Sequence, residues 1–509
     1  MWRVTVATVL GSVIGTRGAA QRPPEALRID PRLIAEAQEV WSVVASPHNP
    51  IWSGWSAAAT PLLFYVPGVQ DVLINHPHPP QGFRPYSGPV RFAGGKMWLR
   101  DGPTYESQPG QNTSRDFAGV RTLLVAEQEP GSTAYDDMAV IVHEAFHVFQ
   151  NHAAPEHGAN EMALARYPVL STENNIGFAL EGAALADALR ARDAGAFRSA
   201  VTRWLAVRKS RRAALRPASI DYENEVEFSE GLAKYAEYRL LERLERRRPG
   251  SALWWTRGFH GYGDLSAERA AYVAQMLANM RGEIAVNNDP FGTAPLRRRL
   301  YYSGMAQGLV LDRLGTSGWK TRILQPGVSL TDLIEQSLGA TSEALAAALD
   351  EARRAPGYDS LARAKIDLAE RGRARTDSVV AAIEQGPGTG VVIDYAGLAT
   401  PRAAFAFTPF GVTVVDSVRT IFTQIPIQVH FPDSSEVAQS VASPLLQDAG
   451  MKRITFRLPR ELSDDEWAHV LVNDTTARVL ELPGARVSAR RATVRREGRE
   501  LVIVLLRAP

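Results

Sequence analysis

The chain contains no cysteine. That excludes disulfide scaffolds, thiolate metal sites, iron–sulfur clusters and cysteine nucleophiles together. A transition-metal site in this protein has to be built from His, Asp or Glu. An excess of one charge is lacking too: 57 Lys and Arg stand against 55 Asp and Glu, a formal charge of +2. No basic stripe of the weight that tracks a phosphate backbone is present, so no nucleic-acid partner is expected. After the N-terminus, no segment approaches the roughly 18 consecutive apolar residues of a transmembrane helix. There is no G-x-S-x-G, which disfavours a serine hydrolase, and there is no internal repeat. What is present is the composition of a folded globular chain, 45% hydrophobic and 22% charged over 509 residues. At roughly 100–200 residues per domain, that length implies about two to four domains.

The first residues have the layout of a secretory signal peptide. A short basic start (Met1-Trp2-Arg3) precedes a mostly apolar run over 4–14, and Gly18-Ala19-Ala20 supplies small residues for cleavage after Ala20. The expected location is therefore secreted or periplasmic. Beyond it, Leu33, Ile34, Ala37, Val40, Trp41 and Val44 give helical spacing over 31–46. Short strands are expected over 61–66, 72–75 and 120–126, and a hairpin over 90–100 around Gly94-Gly95. From residue 134 the period turns helical, with helices expected near 134–151, 173–192, 195–213, 221–247, 266–281, 300–314, 330–338, 341–354 and 358–384. Residues 385–390 (Gln-Gly-Pro-Gly-Thr-Gly) read as a flexible joint. After it the period becomes two, as in Ile425, Ile427, Val429 and Phe431, and runs over 487–494 and 501–506 flank Glu497-Gly498 as a hairpin. Arg486, Arg490, Arg491, Arg495, Arg496 and Arg499 there read as a solvated strand face. The expected organisation is a signal peptide over 1–20, a mostly helical domain over 21–385 with a small N-terminal sheet, a linker over 386–390 and a β-rich domain over 391–509, an α+β fold class overall.

Four of the ten histidines fall between 143 and 157. Two belong to His143-Glu144-Ala145-Phe146-His147. Histidines four apart lie one turn apart on one helix face, so both imidazoles can reach a single metal ion. The intervening Glu144 projects towards the open coordination position, where it can act as general base on a water whose pKa zinc has lowered. The local context agrees. Thr133-x-x-Asp136 makes an N-cap with an acidic first turn, Met138, Val142, Ala145 and Phe149 form an apolar stripe, and a strand precedes the helix.

A third protein ligand must come from elsewhere. The longer pattern H-E-x-x-H-x-x-G-x-x-H fails, because Gln150 and Ala153 occupy the Gly and third His positions. A Glu on a later helix is the other solution. Glu230 shares a helical face with Val226, Ala233 and Leu240, so a carboxylate points where a core residue belongs, and a metal is a good partner for such a buried charge. Gly231 and Ala233 would let this helix approach the first one closely. Glu181, beside Phe178, Leu185 and Leu189, is placed almost equally well. The alternative for either acid is a buried hydrogen bond to a helix end or to one of the many arginines.

These motifs resemble the glutamate-zincin metallopeptidases, the gluzincins of the peptidase MA clan. Glu230-Gly231-Leu232-Ala233-Lys234-Tyr235 is similar to their E-G-x-A-x-Y motif. More narrowly, the chain resembles a group of exported bacterial proteins of that class. In that group an L-E-x-x-A-L helix (here Leu180-Glu181-Gly182-Ala183-Ala184-Leu185) and E-x-x-E-G-L-A-x-Y (here 227–235) follow the H-E-x-x-H helix. Residues 301–306 (Tyr-Tyr-Ser-Gly-Met-Ala) are similar to a further helix. The resemblance covers roughly 115–315. It implies a zincin-like catalytic domain over 21–385, and a Zn²⁺ site of His143, His147 and Glu230, with Glu230 preferred to Glu181. The long separation of Glu230 from His147 implies an inserted helical pair.

An acyl-transfer transition state also needs a donor for the carbonyl oxygen. Tyr301, Tyr302, Tyr235 and His260 are candidates, and Tyr302 is preferred. The expected function is zinc-dependent hydrolysis of a peptide or protein substrate, with the strand at 120–126 pairing with an extended substrate. The alternative is a non-catalytic, metal-stabilised binding protein.

Overall fold

The computed structural model describes residues 27–507 except 47, 93–94, 103–111, 128–131, 257, 286–291, 407–410, 424–425 and 472–476. The expected signal peptide lies outside the described residues. Helices fill most of the first part of the chain and β-sheets the C-terminal region. None of the described helices is long and apolar enough to cross a membrane.

The first helix, Pro31–Val44, begins where its sequence says it should. The Asp30 carboxylate accepts from the Arg32 amide, and Pro31 takes the first turn, where no amide donor is needed. A six-stranded sheet follows. Its spatial order is Arg84–Pro85, Met97–Asp101, Gln70–Ile74, Leu62–Val66, Val120–Ala126 and Thr113–Phe117. The run 62–65 is continuously apolar because both faces of the sheet are covered. Leu62, Phe64, Val72, Ile74, Leu123 and Val125 join the main helical core. Leu63, Tyr65, Leu73 and Leu124 form a smaller cluster on the other face with Phe83 and Trp98.

Two sequence expectations change here. Among the described residues of 90–100, only those of Met97–Asp101 are in a strand, and it pairs with Gln70–Ile74 and Arg84–Pro85 rather than within a local hairpin. The strand 120–126 is present but is not an edge. It lies between Leu62–Val66, parallel, and Thr113–Phe117, antiparallel. Among the described residues, the edge on that side of the sheet is Thr113–Phe117.

The expected helices are found with small shifts of their ends, except that the one expected over 300–314 already begins at Thr293. Thr172–Arg190 and Ala194–Arg212 lie between the histidine motif and Glu230 along the chain. The helix expected over 221–247 is a composite of Pro217–Val226, a π turn over Glu227–Gly231, and Leu232–Leu244.

After the helix Tyr358–Gln385 the chain enters two sheets. One has seven strands, with Arg453–Arg457 at its centre beside Gly390–Asp394; the other has five, including Gln428–His430, Glu436–Gln439 and Ala485–Ala489. Ile393, Phe456 and Ile503 of the first share one core with Val429, Val437 and Val487 of the second, so the two sheets form a sandwich. The hairpin around Glu497-Gly498 is Ala492–Glu497 with Glu500–Leu505. The run 487–494 is not one strand, because the chain changes sheets at Arg490 and Arg491. The link 386–390 is not a loose joint either. Thr389 is buried, its carbonyl accepts from the Leu458 amide at 2.9 Å and its hydroxyl from the Leu462 amide at 2.9 Å, while Arg457 donates to the Gly388 carbonyl at 2.8 Å. Glycine and proline mark the turn, and the following loop locks it.

Candidate metal centre

The helix carrying both histidines is Ala134–Ala153. Thr133 and Asp136 close its N-terminus reciprocally: the Thr133 hydroxyl accepts from the Asp136 amide at 3.3 Å, and the Asp136 carboxylate accepts from the Thr133 amide at 3.0 Å. Met138, Val142, Ala145 and Phe146 are fully buried. Trp52 and Trp55 each stand edge-on to Phe146, with centroids 5.1 Å apart, and Trp52 also meets Tyr235 of the later helix at 6.2 Å. This aromatic cluster fixes the rotation of the helix. His143 and His147, one turn apart with ring centroids 4.7 Å apart, are thereby turned into a cleft.

Glu230 arrives from the π turn over Glu227–Gly231. A π turn inserts one residue into the helical register and is frequent at functional sites. It is seated here by backbone contact. A Cβ on Gly231 would lie 2.6 Å from the Gly304 Cα, and a Cβ on Gly304 would lie 2.4 Å from the Glu227 carbonyl oxygen. The small residue at 231 therefore admits the helix Thr293–Leu314, not the histidine helix as its sequence position implied. Any side chain at either glycine would push the two helices apart and move Glu230.

The three expected ligands converge. The Nε2 atoms of His143 and His147 are 3.0 Å apart, and the Glu230 Oε2 lies 3.3 Å from the first and 3.6 Å from the second. Among the described residues this is the group of acids and histidines that meets the spacing for one metal ion. For tetrahedral zinc with bonds of about 2.0–2.1 Å, ligand atoms lie about 3.3 Å apart. The three observed separations straddle that value, and two imidazoles with one carboxylate are a donor set that zinc accepts. The residues fit the ion.

Both imidazoles are held by their other nitrogen. His143 Nδ1 donates to Glu237 Oε1 at 2.6 Å. His147 Nδ1 donates to the Gln150 Oε1 at 2.9 Å, and Gln150 Nε2 donates in turn to the Phe228 carbonyl of the π turn at 2.7 Å. These contacts leave both Nε2 atoms facing the centre. Gln150, which breaks the longer histidine motif, ties the two ligand-bearing helices together. Glu237 also accepts from Lys234 Nζ at 2.9 Å and from the Tyr272 hydroxyl at 2.8 Å. The second oxygen of Glu230 accepts from Arg297 at 3.0 Å.

The same contacts shift the proton affinities of the cluster. Burial acts to lower the His143 pKa, but hydrogen bonds with Glu230 and Glu237 overcome it and carry it up to about 10. Burial acts to raise Glu230, yet the two histidines hold it well below the usual carboxylate range. Burial likewise opposes the ionisation of Glu237, and Lys234 with His143 brings its pKa down. Glu144 differs: burial raises its pKa, against the pull of His143 and His147. Removing the outer partner in Glu237→Ala is expected to weaken metal affinity about 10–100-fold. Competition with a chromophoric chelator measures it, and unchanged affinity would remove Glu237 from the site.

The cleft has a volume of about 1010 Å³. Its walls are the histidine helix, the Glu230 helix, Tyr272 and Gln275 of Ser266–Met280, Arg298, Tyr301 and Tyr302 of Thr293–Leu314, and Asn112, Thr113 and Ser114 at the sheet edge. The Glu144 side chain lines it and makes no hydrogen bond with the described residues. Of the four candidate donors, Tyr301 and Tyr302 line the cleft. The Tyr301 hydroxyl accepts from Arg297 at 3.3 Å, whereas the Tyr302 hydroxyl has no partner among the described residues. Tyr235 is turned away, its hydroxyl on Asp312 at 2.6 Å, and His260 pairs with Glu268 at 2.7 Å outside the cleft.

Glu181 does not join the ligands. It is fully buried among arginines, 3.0 Å from Arg208 Nη1 and 2.5 Å from Arg211 Nε, in a network with Glu223, Glu227 and Arg212. Sequence reasoning missed Glu237, Gln150, Arg297 and Tyr272. A signal existed for Glu237, which is buried two turns after Glu230 on the same helix. Compared with protein-family models, with curated proteins and with solved structures, the chain matches none.

Proposed function

We propose that this chain is a zinc-dependent hydrolase of peptide bonds in the gluzincin manner. The observation that carries the reading is the meeting of His143, His147 and Glu230 at tetrahedral spacing, beside a cleft-lining Glu144 that makes no hydrogen bond with the described residues. Bound there, zinc supplies Lewis acidity towards a carbonyl and lowers the pKa of water towards about 7. Glu144 takes the proton of the attacking water and delivers it to the leaving nitrogen. The Tyr302 hydroxyl donates to the carbonyl oxygen as charge builds on it. The edge strand Thr113–Phe117, beside the cleft, offers its backbone to an extended peptide. Glu237 and Gln150 keep the two imidazoles in register throughout.

The test is metal analysis of purified protein followed by digestion of a mixed peptide library read by mass spectrometry. Near-stoichiometric zinc and cleavage that stops with a chelator and returns with zinc are expected. Zinc-free protein, or cleavage indifferent to chelator, would overturn the reading. Bound zinc without cleavage of any peptide would leave a metal-stabilised binding protein in its place.

A further inference from the structure

The cations of the cleft divide into those with a carboxylate and those without. Lys234 is paired with Glu237, and Arg297 is paired with Glu161 at 2.5 Å and with Glu230. Arg298, the next residue, is exposed in the cleft and has no ion pair or hydrogen bond with any described residue. Its guanidinium carbon lies 6.0 Å from the Tyr301 ring centroid. Arg121, across on the sheet wall, at least reaches the Ser114 hydroxyl at 3.4 Å.

Arg298 therefore presents a planar, permanently charged fork to the solvent of the cleft, on the helix that also carries Tyr302. A guanidinium of this kind matches a carboxylate with two parallel hydrogen bonds. Three of the acids lining the cleft are engaged elsewhere, Glu230 and Glu237 by the histidines and Asp136 by the Thr133 cap, and the fourth, Glu144, makes no ion pair with Arg298. We propose that Arg298 anchors a carboxylate of the substrate, so that the cleft selects peptides with a negative charge close to the cleaved bond. This rests on the peptidase reading for its substrate class. The carboxylate has two sources, the C-terminus of the peptide or an acidic side chain.

The experiment separates the sources and does not need turnover. Glu144→Gln protein equilibrated with zinc is titrated calorimetrically with an N-acetylated tripeptide in three forms: free C-terminus, C-terminal amide, and C-terminal amide with a glutamate side chain. A charge-assisted hydrogen bond is worth about tenfold or more in affinity. One carboxylate form is expected to exceed the neutral amide by about that factor, and which one does so identifies the source. Arg298→Ala in the same background should erase the preference, and Arg298→Lys should keep part of it. Equal binding of the three forms, no binding of any, or a preference lost in Arg121→Ala and retained in Arg298→Ala would overturn the proposal. Failure of the peptidase reading looks different: wild-type protein cleaves no peptide, while the Arg298-dependent preference persists.

Discussion

Glu144→Gln is expected to lower peptide hydrolysis by about 10²–10⁴-fold, the contribution of a positioned general base. That corresponds to about 3–5 kcal/mol of transition-state stabilisation, at 1.36 kcal/mol per factor of ten. Zinc content and melting temperature should stay at wild-type values. The separation follows from what the side chain touches. Glu144 is not among the converging donors, and it makes no hydrogen bond with the described residues that folding would miss. Glutamine has the same shape and loses only the ability to accept a proton. The loss should therefore fall on kcat, with KM nearly unchanged, because the interaction removed is made in the transition state. Turnover that survives the substitution would show that another group carries the proton. Zinc loss accompanying it would show that Glu144 is a ligand.

Much of this architecture was readable because its helices are long and one-sided. A period of 3.6 sustained over many residues gives nearly correct limits for Thr172–Arg190, Leu330–Leu338 and Tyr358–Gln385. The change to period two beyond residue 390 places the β-sandwich in the same way. The edge strand Thr113–Phe117 escaped for the opposite reason. Only Ser114 and Phe117 of its five residues are buried, so Thr-Ser-Arg-Asp-Phe carries no clean alternation. The π turn escaped because register is decided by tertiary contact. Nothing in Glu227–Gly231 by itself announces an extra residue; the close meeting of Gly231 with Gly304, far along the chain, accommodates it.

Within the site, the histidine pair and its cap were legible because they are local, all on one helix. Gln150 and Arg297 were not, because each acts on a ligand across an interface between helices. The choice between Glu230 and Glu181 also turned on partners. A sign was present in the helix Ala194–Arg212, where Val201, Trp204, Arg208 and Arg211 run down one buried stripe. Arginines at core positions need acids, and Glu181, Glu223 and Glu227 are the acids they found. A carboxylate already matched by two guanidinium groups is a poor choice of metal ligand.

That contrast yields the second large expected effect. Glu230→Ala removes one of three ligands, so zinc affinity should fall by more than the 10–100-fold that follows loss of an outer partner, and hydrolysis with it. The fold should survive, because Arg297 keeps Glu161 as its counter-ion. Glu181→Ala should do the reverse. It takes one of the acids from the buried arginine network, leaving Arg208 with Glu227 alone and Arg211 with Glu223 alone, and breaking a buried pair in this way costs up to about 3–5 kcal/mol, so the melting temperature drops while the zinc content of the folded protein stays at the wild-type level. Should that variant not fold, Glu181→Gln keeps two hydrogen-bonding positions and allows the same metal measurement. Chelator competition and thermal melts on the two variants decide the matter. Full zinc affinity in Glu230→Ala, or a folded Glu181 variant stripped of metal, would move the third ligand away from the π turn. The close glycine contact that seats that turn would then be helix packing alone.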